Sequence, residues 1–370
     1  MKQIRLLSAL VLIISISSCK KESSLEVISA VYSVSYKVNH DGRYFIEIPK
    51  VYEFANTILA IKDMDNPTLF TQRETAYYQE FYNHYYAYRY NDLLSQYNFH
   101  YADIEGYLGV SMNGFKYEYY HGQLESKNIY NEIAIPDLFS SQLELVNKLY
   151  IQSDFETFYT DNEYFYQNQI RLYDSVVPVN NMWSWLEKEF STKVNSYTVL
   201  LSPLSKNRDV AHHFQTPDFN ETLLFLCGMP EELPFSDSVS LVKLGQSTFI
   251  NMTVDYIEPA SIVHATTIET SMSRRVIWKQ NLEANQAFDT PFKIFNEYLK
   301  WTTYCIYAKE HFSSDIFNTI NTNIETYMVD EMGFIRFRDF NEKCMALHTE
   351  SSIEDLYPQL LEWADAINDN

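Results

Sequence analysis

The chain has 370 residues, of which 49 are Asp or Glu and 28 are Lys or Arg, so its formal net charge is −21 at pH 7. Such an acidic surface repels phosphate backbones, which excludes nucleic acid as an expected partner. With only 8 glycines and 11 prolines, the composition predicts one large or two closely packed domains with sizeable cores. The 30 tyrosines and 24 phenylalanines are spread along the whole chain, which favours packing in the core over a single aromatic binding surface.

The first 18 residues have the three parts of a secretory signal peptide. Lys2 and Arg5 give a positive start, residues 6–16 are apolar, and Ser17-Ser18 precede Cys19. The apolar run is shorter than the roughly 20 residues that a membrane-spanning helix needs. The cysteine at this place resembles the lipobox of bacterial lipoproteins, in which the sulfur is acylated and the signal peptide is removed. The alternative is an ordinary secretory signal followed by an incidental cysteine.

The lipobox resemblance implies a lipidated chain that contacts a membrane through Cys19. Residues 1–18 would be removed, and residues 19–26 would form a short tether. Lys20 and Lys21 stand where an aspartate would direct retention at the inner membrane, so the resemblance implies the outer membrane, on its periplasmic or its surface face. The folded part is expected to begin at residue 27 and to divide near residues 178–181, into a mostly helical part, 27–180, and a second part, 181–370.

The first folded segment has the pattern of a β-hairpin. Residues 27–38 alternate and are rich in β-branched side chains, residues 43–48 repeat this over a shorter run, and residues 39–42 have turn chemistry. From Pro49 onward the apolar spacing becomes helical, because Val51, Phe54 and Ile58 fall on one face.

Helical spacing then dominates the chain. Further helices are expected at residues 72–94, 138–152, 156–173, 182–190, 290–308, 314–328 and 353–367. Two short runs rich in branched residues, 197–202 and 222–227, indicate buried strands. The fold class predicted from this pattern is α+β, predominantly helical, with a small β-sheet and an N-terminal hairpin.

Several segments, in order, resemble a family of secreted bacterial lipoproteins that is known only as a domain of unknown function. Its typical members carry the His-Glu-x-x-His of zinc metallopeptidases. The similar segments are Val-Tyr-Glu-Phe-Ala-Asn at 51–56, Tyr-Asn-His at 82–84, Val-Leu-Leu-Ser-Pro-Leu at 199–204, Phe-Ile-Asn at 249–251, residues 269–274, and Ile-Glu-Asp-Leu-Tyr-Pro at 353–358. The resemblance implies a zinc-peptidase-like scaffold over residues 27–367, with the metallopeptidase-like part in residues 181–370.

In that family the zinc motif lies on a helix directly before Phe-(Val/Ile)-Asn, so that both histidines face one metal. Here the five motif positions are Lys243, Leu244, Gly245, Gln246 and Ser247, and no His-Glu-x-x-His occurs elsewhere. A protonated lysine cannot ligate zinc, a leucine cannot act as a base, and a serine hydroxyl is a poor ligand. We therefore expect no catalytic residue, no bound metal and no cofactor.

Glu269 occupies the place where the resemblance would put a downstream glutamate ligand. It would lie on a helix that continues through Arg274 and Arg275. Without the other ligands, Glu269 is expected to be a relic that pairs with a nearby arginine or with Lys243.

Other candidate groups give weaker patterns. His212-His213 is expected in a surface loop, and adjacent residues on a strand or helix point in different directions. His264 lies five residues before Glu269, which is off a common helical face. Ser202 lacks the surroundings of an exposed nucleophile. The clusters Glu231-Glu232 and 161–163 fit a solvated surface.

The cysteines after Cys19 are Cys227, Cys305 and Cys344. Their odd number and the absence of a Cys-x-x-Cys spacing allow at most one disulfide and predict neither a disulfide framework nor a zinc knuckle.

Three functions fit the sequence. The first is a non-enzymatic relative of a zinc-peptidase-like lipoprotein that binds a peptide or another partner at the cell envelope. The second is a carbohydrate-binding lipoprotein that uses tyrosines as stacking platforms. The third is a hydrolase with a metal site rebuilt around His212, His213 and Glu269.

Overall fold

The computed structural model describes residues 37–40, 43–65, 76–99, 113–126, 139–205, 209–215, 219–230, 236–280, 286–349 and 351–368. The signal peptide, Cys19, the tether, most of the first expected strand and Glu231-Glu232 lie outside the described residues. The fold is α+β and predominantly helical, as the sequence predicts. No helix among the described residues is both long enough and apolar enough to cross a membrane.

Contacts divide the chain into two compact units. The first unit comprises residues 1–170 together with 198–206, and the second comprises residues 171–197 together with 207–370. The chain thus first passes from one unit to the other between Ile170 and Arg171, whereas the sequence suggested a boundary near residues 178–181.

In the part of the chain that the structure describes, seven strands form two sheets. Strands β1 (Lys37–His40), β2 (Tyr44–Glu47), β5 (Ser196–Ser202), β6 (Val210–Gln215) and β7 (Asn220–Cys227) make a five-stranded sheet in the order β1-β2-β5-β7-β6. β1 and β2 are antiparallel with His40 opposite Tyr44, so the expected N-terminal hairpin is confirmed.

A second sheet was not expected from the sequence. β3 (Tyr117–Tyr120) pairs with β4 (Gln123–Ser126) across His121 and Gly122, which have φ values of 48° and 85°. Two successive residues with positive φ form the tight turn whose twist matches an antiparallel hairpin.

The helices of the first unit surround one helix that is buried on all sides. Residues 51–61 of α1 (Lys50–Lys62) are buried without interruption, including the ionisable Glu53. The others are α2 (Ala76–Tyr85), α3 (Asp92–Gln96), α4 (Leu143–Gln152), α5 (Phe155–Asp161) and α6 (Glu163–Val176), whose last six residues belong to the second unit.

Aromatic rings fill this core, as the spread of tyrosines suggests. Tyr77 stacks on Phe165 at 4.1 Å between centroids, and Phe158 contacts Phe81 and Tyr85 at 5.9 and 5.1 Å. Such ring pairs stabilise the fold by more than the burial of their apolar surface alone.

The second unit contains the longest helices. They are α7 (Val179–Glu189), α8 (Ser238–Lys243), α9 (Gln246–Val263), α10 (Ala265–Ser271), α11 (Pro291–His311), α12 (Ser314–Thr326), which continues into a π-helical turn at Tyr327–Glu331, α13 (Phe337–Leu347) and α14 (Tyr357–Asn368). α9 packs along α11, and Phe249 of α9 lies 4.6 Å from the ring of Tyr307. All five tryptophans lie in this unit.

Three expected helices are interrupted. The predicted helix 72–94 is divided into α2 and α3, with a 3₁₀ turn at Tyr88–Tyr90 between them. The predicted helix 156–173 is split at Asn162, whose side chain donates to the carbonyl of Phe158 at 3.0 Å. The helix of Glu269 ends at Ser271, so the expected continuation through Arg274 and Arg275 was wrong; Arg275 instead begins a single 3₁₀ turn.

Candidate functional site

The degenerate motif does not lie on one helix. Lys243 ends α8, Leu244 and Gly245 form a turn, and Gln246 and Ser247 begin α9. These five positions therefore do not share a single helix, unlike the motif of the family that the sequence resembles. Glycine suits the turn because a Cβ on Gly245 would lie 3.0 Å from Cε of the buried Met182.

Three of these five positions, Lys243, Gln246 and Ser247, nevertheless line a large cavity, which we call the motif cleft. Its volume is about 630 Å³, and Lys243 and Ser247 are the positions that the family resemblance aligns with the two motif histidines. The complete lining is Asp209, Lys243, Gln246, Ser247, Ile250, Asn251, Lys300, Trp301, Asn323, Ile324 and Tyr327. All of these residues belong to the second unit.

Hydrogen bonds fix two walls of the motif cleft. On α9 the Asn251 amide donates to the carbonyl of Ser247 at 2.9 Å. On α11 Glu297 accepts from the Trp301 indole at 2.7 Å and forms an ion pair with Lys300 at 2.6 Å. Both α11 side chains are thereby held at the rim.

Lys243 is the freer of the two cations. It is exposed, and it has no ion pair within 4.0 Å in the part of the chain that the structure describes. Glu269 does not pair with it or with an arginine, contrary to expectation. Instead Glu269 accepts the backbone N–H of Phe292 at 3.3 Å, in the first turn of α11, where a carboxylate interacts favourably with the helix dipole.

The donors of the motif cleft do not fit zinc. Structural and catalytic zinc sites use imidazole, thiolate and carboxylate ligands. Asp209 is the carboxylate in the lining, and its Oδ1 already accepts the backbone N–H of Cys227 at 2.8 Å. Among the described residues, no group of three or more His, Cys, Asp or Glu side chains is placed to hold a metal ion.

His212 and His213 lie on strand β6 and not in a loop, so the loop expectation was wrong. Their side chains point to opposite faces because successive strand residues alternate. His213 stands opposite Thr222 of β7, and its Nδ1 contacts Asp255 of α9. This arrangement places one histidine of the pair against a carboxylate that the sequence had not singled out.

Asp255 is held by three side chains. Besides His213, the Thr222 hydroxyl donates to its Oδ2 at 2.7 Å and the Tyr197 hydroxyl at 3.1 Å. The Asp255 side chain is only 9% exposed. Beside this cluster lies a cavity of about 120 Å³, which we call the histidine pocket, lined by Thr192, His213, Asn220, Glu221, Val254, Asp255, Glu258 and Pro259.

We expect His213 to titrate above the ordinary histidine pKa. Burial lowers the pKa of His213, but its hydrogen bond to Asp255 and the charges of Asp255 and Glu258 outweigh burial and raise the pKa above 6.5. The stability that this pair adds is therefore fully present below pH 6.5 and is lost as pH rises through the folded-state pKa. An NMR titration of the imidazole resonances measures this pKa directly. Asp255→Asn is expected to lower it, and an unchanged pKa in that variant would contradict the assignment.

The remaining candidates do not assemble into a rebuilt metal site. His213 contacts Asp255 while Glu269 contacts Phe292, so the side chains proposed for such a site have separate partners. The ring of His264 stacks on Tyr357 at 5.0 Å between centroids. Ser202 is fully buried and accepts the backbone N–H of Leu204 at 3.2 Å, which leaves it inaccessible as a nucleophile.

The three cysteines are free thiols. Cys227 is half-buried, and Cys305 and Cys344 are fully buried. Burial raises the pKa of the Cys344 thiol to about 12, so this group stays protonated and unreactive at neutral pH.

One pattern in the sequence could have indicated which face of α9 borders the cavities. Ser247, Asn251, Val254 and Glu258 follow a spacing of four, three and four residues, which puts them on one face of α9. All four line cavities of the second unit.

Comparison with protein-family models, curated proteins and solved structures finds no match to this chain, so the family resemblance stays a prediction.

Proposed function

We propose that this chain is a lipid-anchored binding protein of the cell envelope whose motif cleft holds a ligand through a carboxylate group. It would be a non-enzymatic relative of the zinc-peptidase-like lipoproteins. The observation that carries the proposal is the place of Lys243: a cation with no ion pair to any described residue lines a large cleft at the position that the resemblance gives to a zinc ligand.

The charge of the motif cleft supports an anionic ligand. Its lining has two lysines and one aspartate, against a formal net charge of −21 for the whole chain. The cleft also borders the first turn of α9, an 18-residue helix whose N-terminus carries a partial positive charge. Because Glu297 pairs with Lys300, Lys243 supplies the positive charge that would select a negative group by electrostatic complementarity.

The neutral part of the lining supports an organic acid over an inorganic anion. Gln246, Asn251 and Asn323 offer amide donors and acceptors, and Trp301 and Tyr327 offer flat apolar faces that lie 5.2 Å apart. A cavity of about 630 Å³ has the size and mixed lining that are typical of sites for small organic ligands. We assign binding and not turnover, because the motif positions supply neither a zinc ligand set nor a carboxylate base.

Lys243→Glu is expected to reduce binding of a carboxylate ligand by about tenfold, because it replaces an attraction with a repulsion. The probe is the acetylated dipeptide acetyl-Leu-Ala, which carries one carboxylate and no amine, and calorimetry compares it with its C-terminal amide. Lys309→Glu is the matched control, since Lys309 also lies in the last turn of a helix but outside the cleft. Equal affinity for acid and amide, or equal loss in both variants, would contradict the proposal.

Cys19→Ser is expected to abolish incorporation of labelled palmitate and to move the protein out of the membrane fraction, because the sulfur is the proposed acylation site. The control is Cys227→Ser, which removes a half-buried thiol in the folded part. Undiminished labelling in Cys19→Ser would refute the lipid anchor.

A second candidate function, carbohydrate binding, is favoured by one exposed cluster in the first unit. Tyr82, Tyr86 and Tyr90 are 39, 41 and 71% exposed, and the Arg89 guanidinium lies 3.3 and 3.9 Å from the centroids of Tyr86 and Tyr90. An ion pair with Asp65 at 3.0 Å holds Arg89 in place. Flat aromatic faces of this kind stack on sugar rings.

A glycan array tests this second candidate. Binding that is lost in Tyr86→Ala with Tyr90→Ala, and kept in Tyr164→Ala, would support a glycan site, since Tyr164 is 76% exposed but lies elsewhere, on α6. An array without signal would remove its support.

A further inference from the structure

Three cavities adjoin one another along α9. The motif cleft shares Lys300 with a middle pocket of about 280 Å³, and the middle pocket shares Val254 and Glu258 with the histidine pocket. The middle pocket is lined by Val254, Ile257, Glu258, Ala287, Phe288, Phe292, Lys293, Asn296, Glu297 and Lys300. The three cavities thus follow one another along α9 in the second unit, and we call this row the groove. The motif cleft and the middle pocket have residues of α9 and α11 in their lining, and the histidine pocket has residues of α9, β6 and β7.

The face of α9 sets the length of this groove. Ser247 lies in the motif cleft and Glu258 in both the middle and the histidine pocket, eleven residues later. At 1.5 Å of rise per residue this separation is about 16 Å along the helix. An extended peptide advances about 3.3 Å per residue, so about five residues span the distance.

The two ends of the groove carry opposite charges. Lys243 and Lys300 lie at the motif end, where Lys300 is paired with Glu297. Asp255, Glu258 and Glu221 lie at the histidine end. An occupant with an anionic group at one end and a cationic group at the other would match both ends of the groove.

The middle of the groove suits a peptide backbone and an apolar side chain. Ile257, Phe288 and Phe292 supply apolar surface. The side-chain N–H of Asn251 donates to the carbonyl of Ser247. The side-chain oxygen of Asn296 accepts from the Ser261 hydroxyl at 2.6 Å. Among the described residues this leaves an Asn251 acceptor and an Asn296 donor without a partner, the two groups that a peptide N–H and C=O require.

We propose that the groove binds a free zwitterionic oligopeptide of about five residues, with its terminal carboxylate at Lys243 and its terminal ammonium at Glu258. This inference rests on the proposed function and adds the class, length and direction of the ligand. Both charges of a free peptide lie at its ends, which an internal segment of a protein would lack.

Calorimetry with the full mature chain tests the inference at pH 8. The probes are Ala-Ala-Leu-Ala-Ala, its N-acetylated form, its C-terminal amide and the tripeptide Ala-Leu-Ala. The free pentapeptide is expected to bind best, and acetylation or amidation is each expected to weaken binding about fivefold, the effect of one partly exposed ion pair. The tripeptide is expected to bind more weakly because it cannot reach both ends.

Charge reversal separates the two ends. Glu258→Lys is expected to remove the penalty of acetylation while it keeps the penalty of amidation, and Glu362→Lys on α14 is the exposed control. If acetylation and chain length have no effect in the native chain while amidation does, the groove model is wrong and the carboxylate site stands. If amidation has no effect either, or no peptide binds, both proposals are wrong.

Discussion

In the native chain the first unit is expected to lose stability as pH rises. Glu53→Gln is expected to remove this loss. Glu53 is fully buried on α1; its Oε1 accepts the Tyr77 hydroxyl at 3.1 Å, and its Oε2 has no partner among the described residues. Burial raises the pKa of Glu53 to about 8, more than the hydrogen bonds from Ser202 and Tyr77 lower it.

The sign of the effect follows from proton counting. Between pH 4.5 and about 8 the folded chain keeps the Glu53 proton and the unfolded chain does not, so raising the pH favours unfolding. Each unit of pKa shift is worth about 1.4 kcal/mol, which gives a loss of about 3 kcal/mol for the native chain between pH 5 and pH 8. Glutamine resembles the protonated acid and has no charge to acquire.

Hydrogen exchange of the α1 amides measures this loss locally, after correction for the intrinsic exchange rate at each pH. Glu163→Gln, an exposed position at the start of α6, is the control and should follow the native chain. If Glu53→Gln also follows the native chain, Glu53 is ionised in the fold and the buried-acid assignment fails.

His348→Ala is expected to destabilise the second unit by about 3 kcal/mol, because it leaves a buried carboxylate without its main partner. The His348 Nε2 lies 2.7 Å from Oε2 of Glu189, whose side chain is 3% exposed, and the backbone N–H of Ile353 donates to the same oxygen at 3.1 Å. These contacts link α7, the end of α13 and the segment before α14.

The stability that the Glu189–His348 pair contributes is lost at low pH. Burial raises the pKa of Glu189, but the hydrogen bond and charge of His348 and the Ile353 N–H outweigh burial, so the net shift is downward. A lowered carboxyl pKa gives stability that is present above the unfolded value of 4.5 and is lost as pH falls through the folded value. The difference between native chain and variant should therefore shrink in acid.

Tryptophan fluorescence during urea unfolding follows this unit selectively, because all five tryptophans lie in it. His311→Ala is the control, since His311 is exposed and its hydrogen bond is local, to the carbonyl of Tyr307 at 2.9 Å, although its ring also contacts Tyr307 and Trp185. Equal unfolding midpoints for His348→Ala and the control would show that the pair adds nothing.

The sequence predicts most helices because the apolar side chains that pack in the core recur at helical spacing along the chain. The apolar positions of α1, for example, recur at helical intervals, and the helix forms where expected. Glu53 on the same helix could not be predicted to be buried, because its burial depends on Tyr77 and Ser202, which are distant in the chain. β6 was missed because its two histidines resemble a polar loop, and only pairing with β7 makes them a strand.

The candidate site was predictable in part. Lys243 and Ser247, which the resemblance aligns with the motif positions, line the same cleft. The close approach of Met182 to Gly245 at the helix break was not predictable, because Met182 belongs to another element. Asp255 was missed for the same reason: its partners, His213, Thr222 and Tyr197, come from three strands that only the fold brings together.

A crystal structure of the mature chain with Ala-Ala-Leu-Ala-Ala tests the central claim most directly. The predicted result is an intact peptide in the motif cleft with its terminal carboxylate about 3 Å from Nζ of Lys243, the distance of a charge-assisted hydrogen bond. Peptide bound elsewhere on the surface with the cleft holding only solvent, or a cleaved peptide, would contradict a binding cleft at the degenerate motif.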